Sequence, residues 1–133
     1  MITPAIHLPG TCVDAITLYQ KAFDVTINSI DYYRDAPSDS GMTVSEDEKN
    51  KVMHAELTIN GSRVNMSDSN PDDIITGNMI VLNVFLDSGD DVRKAFNILK
   101  EGGKVYVELG LQFFSSMYGS VEDRFGIRWQ LIS

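Results

Sequence analysis

The sequence is short of several residue types, and each shortage excludes a class of protein. Its 133 residues include a single cysteine, Cys12, which excludes an internal disulfide and favours a cytoplasmic location. No stretch reaches the roughly 18 apolar residues that a membrane-spanning helix needs, and we see no signal peptide at the N-terminus. Lysine and arginine number 11 against 19 acidic residues. We therefore expect neither nucleic acid nor an anionic membrane as a partner, because no basic stripe is available to neutralise phosphates.

The residues that are present predict one folded domain, 1–133, with an apolar share of 43 %. Two patterns occur twice within it. Thr11 and Ser88 each stand three positions before an aspartate, which is typical of a helix N-terminus. A Gly-x-Arg-apolar-amide-apolar pattern starts at Gly61 and again at Gly126. We predict module one at 1–68, a linker at 69–77 and module two at 78–133, with a ligand groove shared by the two copies.

Hydrophobic periodicity predicts the order β-α-β-β-β in each copy. In the first copy the predicted strands are 5–8, 25–33, 52–59 and 63–67, and the helix is 12–23. In the second copy the strands are 79–86, 104–108, 113–121 and 127–132, and the helix is 89–101. The acidic segment 35–51 contains Pro37 and Gly41, which predicts a loop that is either a lid over the ligand or simply mobile.

Three segments carry a resemblance to a known family. Residues 10–23 follow Gly-x-Cys-x-Asp-Ala-x-x-x-Tyr-x-x-Ala-Phe, residues 53–57 are Met-His-Ala-Glu-Leu, and residues 118–129 follow Tyr-Gly-x-Val-x-Asp-Arg-Phe-Gly-Ile-x-Trp. They resemble the PhnB-like branch, also labelled 3-demethylubiquinone methyltransferase-like, of the glyoxalase/bleomycin-resistance/dioxygenase (vicinal oxygen chelate) superfamily. The resemblance implies an α+β fold of two tandem βαβββ modules, with curled mixed sheets around a central cavity, usually in a homodimer. It implies no particular reaction, because this fold carries many chemistries.

The same resemblance raises the question of a metal. Enzymes of this superfamily typically hold a divalent ion with four side chains, and the resemblance puts those positions at about Thr3, Asn65, Val81 and Gln130. A shift of one residue would replace Thr3 by Pro4. None of these residues is His, Asp or Glu, and amide oxygens are weak neutral donors. We therefore predict no metal and no cofactor. The sequence also has no glycine-rich loop after a strand, which a methyl-donor cofactor often requires.

The two histidines leave an alternative open. Strand alternation places His7 and His54 on the predicted cavity face, and Glu56 lies two positions after His54. This pattern suits hydrogen-bonded pocket lining, a general base oriented by Glu56, or a rearranged metal site made of these three residues. Pocket lining is the interpretation that we adopt.

Other candidates are matched across the repeat. The amides of Asn65 and Gln130 would approach one ligand from opposite sides. The arginines Arg63 and Arg128 suit either a clamp on an anionic group or solvated positions near hairpin ends. The predicted ligand-lining residues are His7, His54, Glu56, Arg63, Asn65, Asn83, Tyr118, Arg128 and Gln130. Cys12 lies in the first turn of a helix, where we predict a packing role in preference to a reactive thiolate.

Three functions remain open from the sequence, and no catalytic residue is assigned in any of them. The first is a metal-free protein that binds an unidentified small molecule in the cavity between the modules. The second is a lyase, isomerase or dioxygenase with a rearranged metal site. The third is a resistance protein that sequesters a cationic drug, since the net charge is −8. We adopt the first and leave open whether the protein is an enzyme.

Overall fold

The secondary structure repeats one order of elements twice. In the computed structural model, which describes residues 1–37, 39–113 and 115–133, the first series is β1 (Ala5–Leu8), α1 (Cys12–Ala22), β2 (Val25–Tyr32), β3 (Val52–Ile59) and β4 (Ser62–Asp68). The second series is β5 (Leu82–Phe85), α2 (Gly89–Leu99), β6 (Lys104–Gln112), β7 (Ser115–Glu122) and β8 (Arg128–Ile132). Short 3-10 turns cover Tyr33–Asp35 and Pro71–Asp73. The predicted α+β fold of two tandem βαβββ modules is confirmed.

Each series forms a four-stranded mixed sheet with the same topology. The strand order is β1-β4-β3-β2 in one sheet and β5-β8-β7-β6 in the other. The first strand of each sheet is parallel to the last, and the remaining pairs are antiparallel. The repeated sequence patterns therefore correspond to a repeated topology.

Strand ends differ from the prediction where a pairing partner is missing or added. The apolar run 79–86 forms a strand only from Leu82 to Phe85, because β8 offers partners from Trp129 to Ile132. Upstream of β5, Met79 is 97 % exposed. The predicted strand 104–108 extends to Gln112 because β7 pairs along it. Ser38 of the predicted loop and Phe114 of the predicted strand 113–121 lie outside the described residues.

Spatial contacts between Cα atoms divide the chain into two compact units. The first is Met1–Ile16 with Val25–Ile74, and the second is Thr17–Asp24 with Ile75–Ser133. Helix α1 thus contributes its first turns to one unit and its later turns to the other. The predicted bounds of the modules and linker stay a prediction. No helix in the described part of the chain is long and apolar enough to cross a membrane.

The first unit buries one face of its sheet. Burial alternates along β1, β4 and most of β3, while β2 has no buried residue, and the buried apolar set is Ile6, Leu8, Val52, Ala55, Leu57, Ile59, Val64 and Met66. The buried carboxylate of Asp68, at the end of β4, accepts hydrogen bonds from the backbone N–H groups of Cys12 and Val52, both at 2.9 Å. The Cys12 N–H opens α1 and has no partner within the helix, so Asp68 both satisfies it and places negative charge at the positive helix end.

The second unit packs side chains of α1 and α2, and that of Phe23 just after α1, on the buried face of its sheet. Trp129 of β8 is 2 % exposed, and the rings of Tyr19 and Phe23 each lie 5.1 Å from its centroid. Helix α2 begins at the predicted N-cap, where the Ser88 hydroxyl accepts a hydrogen bond from the Asp91 N–H at 3.1 Å. Its buried residues are Val92, Ala95, Phe96 and Leu99.

One buried carboxylate organises the turn between β7 and β8. Asp123 is 2 % exposed. Its Oδ1 accepts from the backbone N–H groups of Phe125 and Ile127 at 2.9 and 3.1 Å. Its Oδ2 accepts from the Tyr19 hydroxyl at 2.7 Å and from the Trp129 indole at 2.9 Å. The Asp and Trp of the 118–129 motif are therefore partners, and this motif has a structural role.

Candidate functional site

The outward face of the first sheet carries three polar side chains that satisfy one another. Asn65 of β4 is in register with Glu56 of β3. The Arg63 guanidinium pairs with Glu56 Oε1 at 2.5 Å, and Arg63 Nε donates to Asn65 Oδ1 at 3.5 Å. Arg63 is therefore already paired with a carboxylate of its own sheet, which makes it less suited to binding the anionic group of a ligand.

The two histidines lie on different strands of this sheet. His7 Nδ1 of β1 is 3.0 Å from the Ser69 hydroxyl and 3.2 Å from that of Ser67. His54 is exposed on β3, in register with Asp31 of β2. Among the described residues no contact joins Glu56 to the His54 ring, since the Glu56 carboxylate pairs with Arg63. The geometry therefore does not support His54 as a general base oriented by Glu56. Pocket lining by either histidine stays a prediction.

The donor groups do not fit the divalent metal that the superfamily's enzymes use. Thr3 and Val81 precede β1 and β5, while Asn65 and Gln130 lie within β4 and β8. Two of these four side chains are neutral amides, and valine has no donor atom. Nowhere in residues 1–37, 39–113 and 115–133 do three or more His, Cys, Asp or Glu side chains come together in a group able to hold a metal. No chemical step is therefore assigned to a metal.

The second sheet carries a different polar row on the face opposite Trp129. Asn83 of β5, Gln130 of β8 and Ser120 of β7 are in register across three neighbouring strands. Ser120 is 1 % exposed, and its hydroxyl has no hydrogen-bond partner. A buried unsatisfied polar group costs about 1–3 kcal/mol, so native proteins pair nearly all such groups. The hydroxyl of Ser120 is therefore a buried polar group that the protein itself leaves unsatisfied.

Arg128 lies on the same face, two positions before Gln130. Its Nη1 donates to the backbone carbonyl of Asn78 at 3.1 Å, and its guanidinium lies 4.0 Å from the centroid of the Tyr106 ring. Its Nε is buried and has no hydrogen-bond partner. In the part of the chain that the structure describes, no acidic side chain forms an ion pair with it. Glu122 of β7 lies opposite Arg128 in the strand register, but no ion pair joins the two, so Arg128 differs from Arg63 in having no carboxylate within salt-bridge distance among the described residues.

The remaining candidates fall around this row. Asn83 is exposed at the β5 end, and Tyr118, which is 8 % exposed, lies two positions before Ser120 on β7. Sequence reasoning missed Ser120 and Tyr106. The predicted β7 contained Ser120, but only the register of β7 against β8 brings its hydroxyl beside Gln130. Tyr106 was inside a predicted strand without any signal that singled it out.

Cys12 is a packing residue in the structure. Its side chain is fully buried at the start of α1. Burial, and then the charge of Asp68, raise the pKa of this thiol to about 12. The thiol is therefore protonated at neutral pH, which agrees with the predicted packing role and disfavours nucleophilic chemistry.

Comparison with known protein families shows which superfamily the chain belongs to. The sequence profile of the Glyoxalase/Bleomycin resistance protein/Dioxygenase superfamily matches residues 11–131. The chain belongs to this superfamily. The match spans both repeats, and the resemblance predicted from the three sequence segments is confirmed.

Individual relatives of this superfamily member cover nearly its whole length. Protein YjdN of Escherichia coli K12 is 24 % identical over 98 % of this chain and 92 % of its own length. A crystal structure of protein PA1353 from Pseudomonas aeruginosa is 28 % identical, with a TM-score of 0.84 over 99 % of this chain and 96 % of that one. A Bacillus cereus structure titled as a putative 3-demethylubiquinone-9 3-methyltransferase, PhnB protein, is 26 % identical, with a TM-score of 0.81 and coverage of 98 % and 97 %. The solved structures that resemble this chain thus include a PhnB protein.

Proposed function

We propose that this protein binds a small organic molecule on the polar face of its second sheet, without the metal used by enzymes of its superfamily. The observation that carries the proposal is the buried hydroxyl of Ser120, which has no partner in the protein. It lies in register with Gln130, which is followed in the same row by Asn83. Three polar side chains that share one sheet face on neighbouring strands support a recognition site there.

The chemistry of this row supports binding more than catalysis. A hydroxyl and two amides donate and accept hydrogen bonds, but none of them titrates near neutral pH. General acid–base catalysis needs a group whose pKa lies near the working pH. The row can therefore form hydrogen bonds to a polar molecule, but it contains no group suited to general acid–base catalysis.

Location and assembly belong to the same proposal. We propose a cytoplasmic protein, on the basis of its single cysteine, that acts as a homodimer. Its net charge of −8 supports a small-molecule ligand over nucleic acid or an anionic membrane. Sedimentation velocity across a range of protein concentrations tests the homodimer directly, and a monomer at every concentration would contradict it.

A metal titration separates this proposal from the metal-dependent alternative. We expect NiCl2, ZnCl2 and MnCl2 to leave the thermal unfolding midpoint of the protein unchanged, because the described residues offer no cluster of suitable donors. A ligand that binds only the folded state raises that midpoint by mass action. If a metal raises it in the wild type and not in His54→Ala, the enzyme with a rearranged site is the better interpretation.

A fragment screen by ¹⁵N–¹H NMR tests the binding surface itself. We expect polar fragments to shift the amide resonances of Ser120 and Gln130, and we expect Gln130→Ala to weaken that binding about tenfold, the loss of one good hydrogen bond. Asn65→Ala is the matched control, because Asn65 is the equivalent amide of the first repeat and its oxygen already accepts from Arg63. Equal losses in both variants would contradict the assignment to the second sheet.

A further inference from the structure

The two arginines that the repeat matches differ in their ion pairing. Arg63 is paired with Glu56 and also donates to Asn65. Arg128 donates one Nη1 hydrogen bond to a backbone carbonyl and rests on the Tyr106 ring. Neither contact of Arg128 neutralises its charge, because one partner is a neutral carbonyl and the other is an aromatic face. The duplication has therefore kept the residue type and changed its role.

The free edge of Arg128 has a defined shape. Since Nη1 is taken by Asn78, the unoccupied edge of the guanidinium is the pair formed by Nε and Nη2. Two parallel N–H groups on this edge match the two oxygens of a carboxylate, or two oxygens of a phosphate, in a bidentate arrangement. The Nε atom is buried and has no hydrogen-bond acceptor within the protein. The guanidinium carbon of Arg128 also lies 4.0 Å from the centroid of the Tyr106 ring.

We propose that the ligand of the second sheet carries one anionic group, a carboxylate or a phosphate, which the Nε and Nη2 edge of Arg128 receives. This inference rests on the proposed function and adds the chemical class of the ligand. Gln130 lies two positions further along the same face of β8, and Ser120 is its neighbour on β7. The anionic group binds at Arg128, and the polar remainder of the molecule lies along this row.

The net charge of −8 does not oppose this assignment. Charges separated by more than a Debye length, about 8 Å at physiological ionic strength, are largely screened. The contact between the anion and the buried edge of Arg128 is much shorter than that length. Local pairing therefore decides the specificity, and the overall acidity acts mainly on the rate of approach.

Three probes of similar size test the proposal: benzoate, phenyl phosphate and the neutral benzamide. We expect wild-type protein to bind benzoate or phenyl phosphate at least tenfold more tightly than benzamide, measured by NMR titration of the Ser120 and Gln130 amides. Arg128→Gln reduces the affinity for the anion at least tenfold, to that for benzamide. Arg128→Lys keeps the charge without the bidentate edge and retains part of the preference. Arg63→Gln, the matched control, changes the affinity less than twofold.

The outcomes separate the two proposals. Preference for benzoate supports a carboxylate ligand, and preference for phenyl phosphate supports a phosphate ligand. If benzamide binds this surface as tightly as both anions, the surface binds ligands but the anionic class is wrong. If Arg63→Gln loses as much affinity as Arg128→Gln, the assignment to the second module alone is overturned. If none of the probes shifts these resonances, the anion proposal and the binding surface are both contradicted.

Discussion

Replacing Asp123 by asparagine removes a buried charge while keeping the size of the side chain. In the native structure the carboxylate accepts four hydrogen bonds, two on each oxygen. Asparagine keeps one acceptor oxygen, which can serve the N–H groups of Phe125 and Ile127. Its amino group then faces the Tyr19 hydroxyl and the Trp129 indole. The hydroxyl can rotate and accept, but the indole only donates and is left without a partner.

The cost follows from these four contacts. An unpaired buried donor costs about 1–3 kcal/mol, and the other bonds lose the strength that the charge adds, so we expect Asp123→Asn to lower the free energy of unfolding by about 3 kcal/mol. For a domain of this size that corresponds to a fall of roughly 10 °C in the unfolding midpoint. Tyr19→Phe removes one donor and leaves three, so we expect a loss of about 1 kcal/mol.

Urea unfolding followed by tryptophan fluorescence measures this directly, because Trp129 is the single tryptophan of the chain. Asp47→Asn is the matched control: Asp47 is exposed, and we expect its replacement to change stability by less than about 0.5 kcal/mol. The double variant of Asp123 and Tyr19 should deviate from additivity, since both residues share one hydrogen bond. A loss for Asp123→Asn no larger than that for the control would refute the role of the buried carboxylate.

Three further predictions concern stability. Ser120→Ala removes a buried hydroxyl that has no partner, so the ligand-free variant should be about 1 kcal/mol more stable than the wild type in urea unfolding; a clear loss of stability would show that the hydroxyl is satisfied. A Cβ atom on Gly119 would lie 2.7 Å from the Phe96 ring, so Gly119→Ala should lower the unfolding midpoint by an amount equivalent to about 1–3 kcal/mol, and an unchanged midpoint would argue against this packing. The folded-state pKa of the Cys12 thiol is raised to about 12 from the usual 9.0. Its contribution to the free energy of unfolding is therefore complete below pH 9 and is lost as the pH rises from 9 towards 12. The loss is no more than about 1.4 kcal/mol per pH unit. The free energies of unfolding of the wild type and of Cys12→Ala at pH 8 and pH 10 test this prediction, because only the wild type should lose the thiol's contribution. An equal change in both proteins would show that the pKa of the thiol is not raised.

Local patterns were sufficient for the order of the elements. The hydroxyl at Ser88 predicts the start of α2 because the N-cap is a contact within four residues. Alternation along β4 and β8 predicts which side chains are buried, because neighbouring strand residues point to opposite faces. The apolar run before Leu82 misled the prediction because hydrophobicity alone does not supply a hydrogen-bonding partner.

The candidate site depended on contacts that no local pattern contains. The sequence shows Arg63 and Arg128 at equivalent positions, with Glu56 seven residues before Arg63 and Val121 seven residues before Arg128, but this difference alone does not separate their roles. The separation comes from the register of β3 on β4, which puts Glu56 within reach of Arg63, and from the packing of Tyr106 on Arg128.

The sequence by itself determined the repeated βαβββ order, the superfamily and the buried face of each sheet, because these follow from short-range periodicity and from motifs that lie within one segment. Only the tertiary structure decided which arginine is ion-paired and which hydroxyl is buried without a partner. Those properties depend on which side chains the register of neighbouring strands brings together, and on the contact between Tyr106 of β6 and Arg128 of β8.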